Sequence, residues 1–212
     1  MKQMNEHLEN LKEIRSMMER SSKFLSLSGL SGVAAGIVAI VAAILVYKKK
    51  VELTGNIEPK GIFEAQSYTN PNEFRTYIIN IALITLVAAV TLGIYFTIRK
   101  ANKSGEKVWN NLSKKVTVSL LFPLVTGGLF CIGLISHGVL WVVPSTTLIF
   151  YGLALLNASK YTVRDLYYLG IFEIVLGLSS MVLTGYSLIF WVLGFGVLHI
   201  LYGTVMYFKY EK

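Results

Sequence analysis

Long apolar runs are the feature that most constrains the fold of this chain. Six stretches of roughly 19 to 24 residues carry almost no charge, and a helix of that length crosses the hydrocarbon core of a bilayer. Charged residues make up only 15% of the sequence, against about 25% in a typical soluble domain. We therefore predict an all-α, polytopic membrane protein whose six transmembrane helices lie at residues 24–47, 77–98, 118–136, 139–158, 166–184 and 187–208.

The Lys and Arg residues between the spans predict the orientation of the chain, because cytoplasmic loops carry an excess of them. Five lie in residues 1–23, six in the loop 99–117, two between spans four and five and two in the C-terminal tail. The other five lie in the loop 48–76. We therefore expect both termini and the basic loop 99–117 in the cytoplasm, with 48–76 as the extracytoplasmic loop. The lysines at 48–50 are the evidence against this orientation.

The formal net charge of +8 indicates which surfaces the protein meets. Lys and Arg beside membrane spans are attracted to anionic lipid headgroups by about 1 kcal/mol each. We expect the lipid bilayer, and anionic lipids at its cytoplasmic face, as partners, and no nucleic acid. We expect no cleavable signal peptide, because the first 23 residues are charged and the apolar stretch after them is too long for one.

Residues 1–23 have the pattern of an amphipathic helix. Apolar residues recur at steps of three and four, with charged residues between them. This predicts a cytoplasmic helix that lies on the bilayer surface or beneath the bundle. The alternative is a docking helix for a protein partner or a second copy of the chain, as a homo-oligomer. The apolar residues are Met4, Leu8, Leu11, Ile14 and Met18.

Two ionisable residues, Glu173 and His199, interrupt the last two apolar spans. They lie about 12 and 13 residues on either side of the turn between these spans, so that helical rise brings them to nearly the same depth. Ionisable side chains are costly in hydrocarbon and commonly mark functional sites. We predict that the two residues meet in the last helical hairpin. They either lock the hairpin or form a proton or ligand site. In a proton site two effects would compete, because a carboxylate favours the protonated imidazole while burial opposes charge on both groups.

Small residues form stripes on three of the spans. Membrane helices approach closely where small residues recur every few positions, and polar groups then bond across the contact. The stripes of spans five and six flank Glu173 and His199, so we expect these two faces to meet within the hairpin. The predicted helix-packing residues are Ser28, Gly32 and Gly36 in span one, Gly170 and Gly177 in span five, and Gly196 and Gly203 in span six.

Residues 29–32 spell GLSG, which resembles the GxSG motif around the nucleophile of rhomboid intramembrane serine proteases. Those proteases have six spans and a histidine in the last, so Ser31 is a candidate nucleophile beside His199. Three departures count against this: the motif lies here in the first span rather than the fourth, the HxxxN pattern of that family is missing, and its active site faces the extracytoplasmic side.

We predict no metal and no cofactor for this chain. His137 lies at the outer turn and His199 in the last span, so these two residues of one subunit cannot share a metal. His7 lies in the N-terminal segment. The sequence has no CxxC, no HExxH and no glycine-rich phosphate loop.

Two stretches resemble a known family. Residues 14–36, IRSMMERSSKFLSLSGLSGVAAG, are one; the other is 152–210, which includes GLALLNASKYTVRDLYYLGIFEIVLGL and FWVLGFGVLHILYG. Both are similar to an uncharacterised family of small, six-span bacterial inner-membrane proteins. The resemblance implies a multi-pass location in the bacterial cytoplasmic membrane, without an established activity or assigned functional residues.

We expect a non-enzymatic protein that senses or regulates in the membrane, through residues 1–23 and with the Glu173–His199 pair at its centre. The alternative is a small transporter or proton-coupled permease that uses the same pair. An intramembrane enzyme such as a serine protease is the third interpretation. Flux that depends on Glu173 would favour transport, and a partner lost on removal of residues 1–23 would favour regulation.

Overall fold

The computed structural model describes residues 28–63, 68, 70–105 and 108–212. These residues form six helices that are long and apolar enough to cross a membrane, and they contain no strand. The all-α prediction with six apolar spans is therefore confirmed for this part of the chain. The predicted amphipathic helix 1–23 lies outside the described residues. The helices are α1 (Gly29–Thr54), α2 (Pro71–Ser104), α3 (Asn111–Ser136), α4 (Leu140–Tyr161), α5 (Asp165–Val182) and α6 (Ser187–Tyr210).

Several helices extend beyond the predicted apolar spans. Helix α1 continues past residue 47, through three lysines, and α2 begins before residue 77 and ends after residue 98. Capping explains where α2 begins and ends: the Asn70 side chain accepts a hydrogen bond from the backbone of Glu73 at 3.4 Å, and Gly105 closes the helix at a φ of 68°. Hydropathy alone does not report such polar helix ends.

Helix α6 joins the two halves of the bundle. Helix α1 packs against α2 and α6, while α4 packs against α3 and α5. The first part of α6 contacts α4 and α5, and its later part follows α1. We call the end of the bundle that carries Gly29 and Tyr210 the terminal face, and the end that carries Thr54 and Ser187 the loop face. Helices α2 and α3 present exposed apolar side chains along their length, as expected of surfaces that contact lipid.

Glycines bring the backbones of α1 and α6 into direct contact. A Cβ atom on Gly203 would lie 2.5 Å from the carbonyl oxygen of Gly29, and one on Gly36 would lie 2.6 Å from that of Gly196. Neither position has space for a side chain. The small residues predicted on spans one and six therefore face each other, including Gly32, whose Cβ would lie 3.1 Å from the Cα of Gly203.

The small face of α5 packs against α4 instead of α6. A Cβ atom on Gly170 would lie 2.8 Å from the carbonyl oxygen of Gly152, and one on Gly177 would lie 3.0 Å from that of Ser145. This differs from the predicted seam between the small faces of spans five and six. The physical reason is that Gly152 lets α4 come close to α5, while Gly196 and Gly203 of α6 already face α1.

Described residues of the connection between α1 and α2 pack at the loop face. Ile62 and Tyr68 are buried, and the Tyr68 ring stacks on Phe74 with centroids 4.0 Å apart. Burial raises the pKa of the Tyr68 hydroxyl. The backbone N–H of Gly61 donates to the carbonyl of Gly185 at 2.8 Å, which ties this connection to the turn between α5 and α6.

Carboxylates hold the end of α6 at the terminal face. Asp165, at the start of α5, accepts hydrogen bonds from the Lys209 amine at 2.9 Å and the Tyr210 hydroxyl at 2.8 Å. Glu211 accepts a hydrogen bond from the backbone N–H of Gly29, the first residue of α1. The last turn of α6 is thereby tied to both neighbouring helices.

Replacing Gly203 with alanine should weaken the α1–α6 contact, because the added methyl group has no space beside the backbone of α1. We expect Gly203→Ala to lower the free energy of unfolding by about 1–3 kcal/mol, measured by thermal unfolding in detergent micelles. Gly128→Ala is the matched control, because a Cβ at this exposed glycine meets nothing within 4 Å and alanine favours the helix. Equal losses for both variants would contradict the close contact.

Candidate functional site

Three helices bring Tyr151, Glu173 and His199 together. The Nδ1 atom of His199 lies 3.4 Å from Oε1 of Glu173, and its Nε2 atom lies 2.8 Å from the Tyr151 hydroxyl. Each residue lies near the middle of its helix, roughly 12 Å or more from either helix end at the usual rise per residue. The structure thus brings together the two residues singled out from the sequence and adds Tyr151 of α4, which was not.

The histidine sits at the end of a π-helical stretch. Residues Val192–Leu198 of α6 wind as a π-helix, a rare conformation that is common at functional sites. The Nδ1 atom of His199 lies 3.0 Å from the carbonyl oxygen of Gly194. A carbonyl can only accept, so Nδ1 carries a proton, and in the neutral ring Nε2 accepts the hydrogen bond from Tyr151. The local winding therefore sets the tautomer of the imidazole.

Gly194 makes room for the acid. A Cβ atom at this position would lie 2.5 Å from Oε2 of Glu173 and 2.5 Å from Cδ2 of Leu148. The carboxyl group of α5 therefore occupies the space that a side chain on α6 would take. In the sequence this glycine lies in the stretch LGFG, and nothing distinguishes it from the other glycines of the spans.

The Glu173 carboxyl group is enclosed without conventional hydrogen-bond partners. Its residue is 0% exposed, and neither carboxyl oxygen has a hydrogen-bond partner among the described residues. A buried ion without donors costs several kcal/mol even after relaxation of the protein. The ionised form of Glu173 therefore depends on a positive charge on His199, 3.4 Å away. The arrangement can hold a proton on the acid or on the imidazole.

Aromatic rings close the remaining sides of the imidazole. The ring of His199 stacks on Phe195 with centroids 5.8 Å apart, and Tyr151 lies 5.3 Å away. Trp191 packs on Phe195 in turn, at 5.1 Å. His199 is 5% exposed. The pair thus lies in a closed seam between helices rather than in an open cavity.

The structure does not bring Ser31 to the imidazole. Its hydroxyl donates to the carbonyl of Ser28, one turn earlier in the same helix. Both nitrogens of His199 face other groups, the Tyr151 hydroxyl and the Gly194 carbonyl. The Ser–His arrangement that a serine protease requires is therefore not formed.

The described residues contain no group of three or more His, Cys, Asp or Glu side chains that could hold a metal ion. His137 ends α3 at the loop face, where its Nδ1 atom lies 2.8 Å from the carbonyl oxygen of Gly133. His7 lies outside the described residues.

No protein-family model matches this chain, and no curated protein or solved structure is significantly similar to it.

Removing the Tyr151 hydroxyl should change the hydrogen bonding of the imidazole while leaving the ring packing in place. We expect Tyr151→Phe to destabilise the fold by about 1–2 kcal/mol. The ¹⁵N NMR signal of Nε2 in His199 should move towards that of an unbonded ring nitrogen. Tyr167→Phe is the control, because that side chain is 45% exposed. An unchanged Nε2 signal in Tyr151→Phe would contradict the assigned contact.

Proposed function

We propose that this protein is a non-enzymatic membrane regulator that responds to protonation of the Glu173–His199 pair. The observation that carries the proposal is a fully buried carboxyl group, without hydrogen-bond partners among the described residues, 3.4 Å from an imidazole. Such a pair has two neutral arrangements: an acid beside a neutral imidazole, and a carboxylate beside an imidazolium. Each has the same number of protons and no net charge.

Adding or removing one proton leaves a net charge between the helices. An isolated charge in a low-dielectric interior is strongly unfavourable. The helices around the pair must then move apart, admit water or reposition a hydrogen-bonding group. Protonation is thereby coupled to the packing of α4, α5 and α6, and acidity shifts the population between two arrangements of the bundle.

Helix α6 is the element that carries this change to the rest of the protein. His199 lies on α6, and the neighbouring turns of α6 contact α1 through glycine backbones, with a Cβ on Gly32 only 3.2 Å from the carbonyl oxygen of His199. Closely packed surfaces transmit small displacements. Helix α1 follows residues 1–27 in the chain, so movement of α1 reaches the segment that we propose as the docking helix for a protein partner or a second copy.

The proposed orientation places both termini in the cytoplasm of a bacterial cell, at an inner membrane rich in anionic lipid. Two of the lysines at 48–50, which count against this orientation, have local partners. The Lys50 amine donates to the carbonyls of Asn56, at 3.0 Å, and of Glu58. The Lys49 amine lies 3.0 Å from the Glu73 carboxylate. The terminal face, by contrast, carries an excess of basic residues. They include Arg99, Lys100, Lys103, Lys114, Lys115, Lys160, Arg164, Lys209 and Lys212.

The enclosure of the pair favours regulation over the proton-coupled permease and over the intramembrane enzyme. Both alternatives need a substrate to reach the site, and ligand sites are ordinarily clefts or cavities. A proton, unlike a substrate, is small enough to reach a seam in which Glu173 and His199 are 0% and 5% exposed.

Neutralising the acid should remove the response to pH. We expect the melting temperature of the wild-type protein in lipid nanodiscs to vary with pH, because a proton gained or lost by the pair leaves a net charge between the helices. Glu173→Gln keeps the shape of the side chain but removes its ionisation, and it should flatten that profile. Glu52→Gln is the control, because its side chain is 67% exposed. A Glu173→Gln profile that matches the wild type would refute the proposal.

Deleting residues 1–23 should separate sensing from signalling. The deletion leaves the described helices intact, so we expect the pH dependence of melting to remain. Chemical crosslinking in native membranes should capture a partner, or a second copy, with the full chain but not with the deletion variant. Capture should also differ between the wild type and Glu173→Gln. Equal crosslinking with and without residues 1–23 would exclude this segment as the docking helix.

A further inference from the structure

Tyr202 is a partly buried residue of α6 whose hydroxyl oxygen lies in the interior. Its hydroxyl is inaccessible and has no hydrogen-bond partner among the described residues. Buried hydroxyls are ordinarily bonded, so an unpaired one calls for an explanation. Tyr202 follows His199 by three positions in α6, which places the two side chains on the same side of the helix.

Tyr202 lies along α6 between the pair and the terminal face. It is about one turn beyond His199, and the helix ends at Lys209 and Tyr210, which contact Asp165. Tyr151 is hydrogen-bonded to Nε2 of His199. Asp165 accepts the hydrogen bond from Tyr210 at the terminal face, where its side chain is 25% exposed. Along α6, Tyr202 thus lies between the buried imidazole and the turn that contacts a surface carboxylate.

Apolar side chains lie beside the two tyrosines. Tyr151 and Tyr202 both pack against a buried cluster contributed by α3, α4 and α5. The hydroxyls of Tyr151 and Tyr202 can accept and donate a proton, which the hydrocarbon side chains of this cluster cannot do. The buried members of the cluster are Val116, Leu155, Ala158, Leu166 and Leu169.

The other sides of the Glu173–His199 pair offer fewer groups that could carry a proton to it. Towards the loop face, the hydroxyls of Ser145 and Ser180 bond to each other at 2.7 Å, and Ile62 and Tyr68 of the α1–α2 connection are buried. On the α1 side, the residues that contact α6 include Gly29, Gly32, Gly36, Val33 and Ile40. The ionisable groups that face this region are Tyr151 of α4, Asp165 and Glu173 of α5, and Tyr202, Lys209 and Tyr210 of α6, with Lys115 of α3 over the Tyr161 ring at its edge.

We propose that Tyr202 relays protons between the terminal face and the Glu173–His199 pair, an inference that rests on the proposed function. A proton from water at Asp165 binds the Tyr202 oxygen as the original hydroxyl proton passes to the oxygen of Tyr151. Tyr151 gives its own proton to Nε2 of His199. Both phenols end neutral, one proton has moved inward, and the imidazolium faces Glu173.

The missing hydrogen bond to Tyr202 makes this relay a gated one. A rotation of the phenol hydroxyl, or one transient bridging water, must join Tyr202 to its neighbours before a proton moves. The pair therefore comes to equilibrium with the terminal face slowly, and the hydroxyl of Tyr202 controls the rate without setting the final protonation.

A pH jump on the full-length protein in nanodiscs tests this relay. The infrared carboxyl band of Glu173, assigned by its loss in Glu173→Gln, shifts when His199 becomes charged 3.4 Å away, and so reports the arrival of the proton. Tyr202→Phe keeps the ring and removes the hydroxyl, and we expect it to slow the response by about tenfold or more while leaving the final amplitude unchanged. Tyr207→Phe makes the same chemical change two turns from His199 and should respond at the wild-type rate.

The outcomes separate the relay from the function on which it rests. A wild-type rate in Tyr202→Phe overturns the relay, as does a slower response in Ser180→Ala alone, which would place proton entry at the loop face. If Tyr202→Phe does not fold, Asp165→Asn tests the same route at the surface, and an unchanged rate overturns the proposal. A wild-type protein whose carboxyl band does not respond to pH refutes the proposed function itself.

Discussion

Direct contact between helix backbones is the constraint on which this bundle depends. In a bilayer the surrounding lipid is as apolar as the helix surfaces, so helices associate through close packing and hydrogen bonds. Here α1 meets α6, and α4 meets α5, at glycines where a single added carbon would overlap a carbonyl oxygen. These two tight pairs leave little freedom in the position of α6 relative to α5. The remaining features of the interior follow from that position.

The buried acid is a consequence of this packing. Because α6 follows α1 and packs on α5 mainly through its first part, Gly194 lies opposite Glu173 and the carboxyl group fills the vacant side-chain volume. The imidazole is then placed by its own helix, through the Gly194 carbonyl, and by Tyr151. Stability and ionisation are therefore linked: the groups that complete the seam between the helices are the groups that can exchange a proton.

The sequence predicts the number of apolar helices and the meeting of Glu173 with His199, because apolar length and helical rise are properties of single segments. It does not predict what depends on several segments at once. Tyr151 looks like any other aromatic residue in an apolar span, and no local pattern marks the π-helical stretch. Helix α1 extends past its apolar run because carbonyls of the following connection accept the buried Lys50 amine, which hydropathy does not register.

Which helices pack against each other is the clearest example of a feature that depends on several segments at once. Glycine stripes on spans five and six indicate close packing but not the partner helix, and a short turn between two spans suggests that they face each other. The deciding residue is Gly152, whose role is visible only once α4 and α5 are placed side by side. The orientation of the chain and the contribution of residues 1–23 remain proposals drawn from the sequence.

The π-helical stretch gives α6 a property that a regular helix lacks. Its hydrogen bonds close over five residues instead of four, so it contains a surplus of chain that need not stay at one place. Migration of this surplus by a single residue would redirect the side chain that it passes, while Asp165 and Glu211 still bind the end of α6. Since His199 adjoins the stretch, such a step would turn the imidazole away from Glu173 without unfolding the helix or lengthening it at either end.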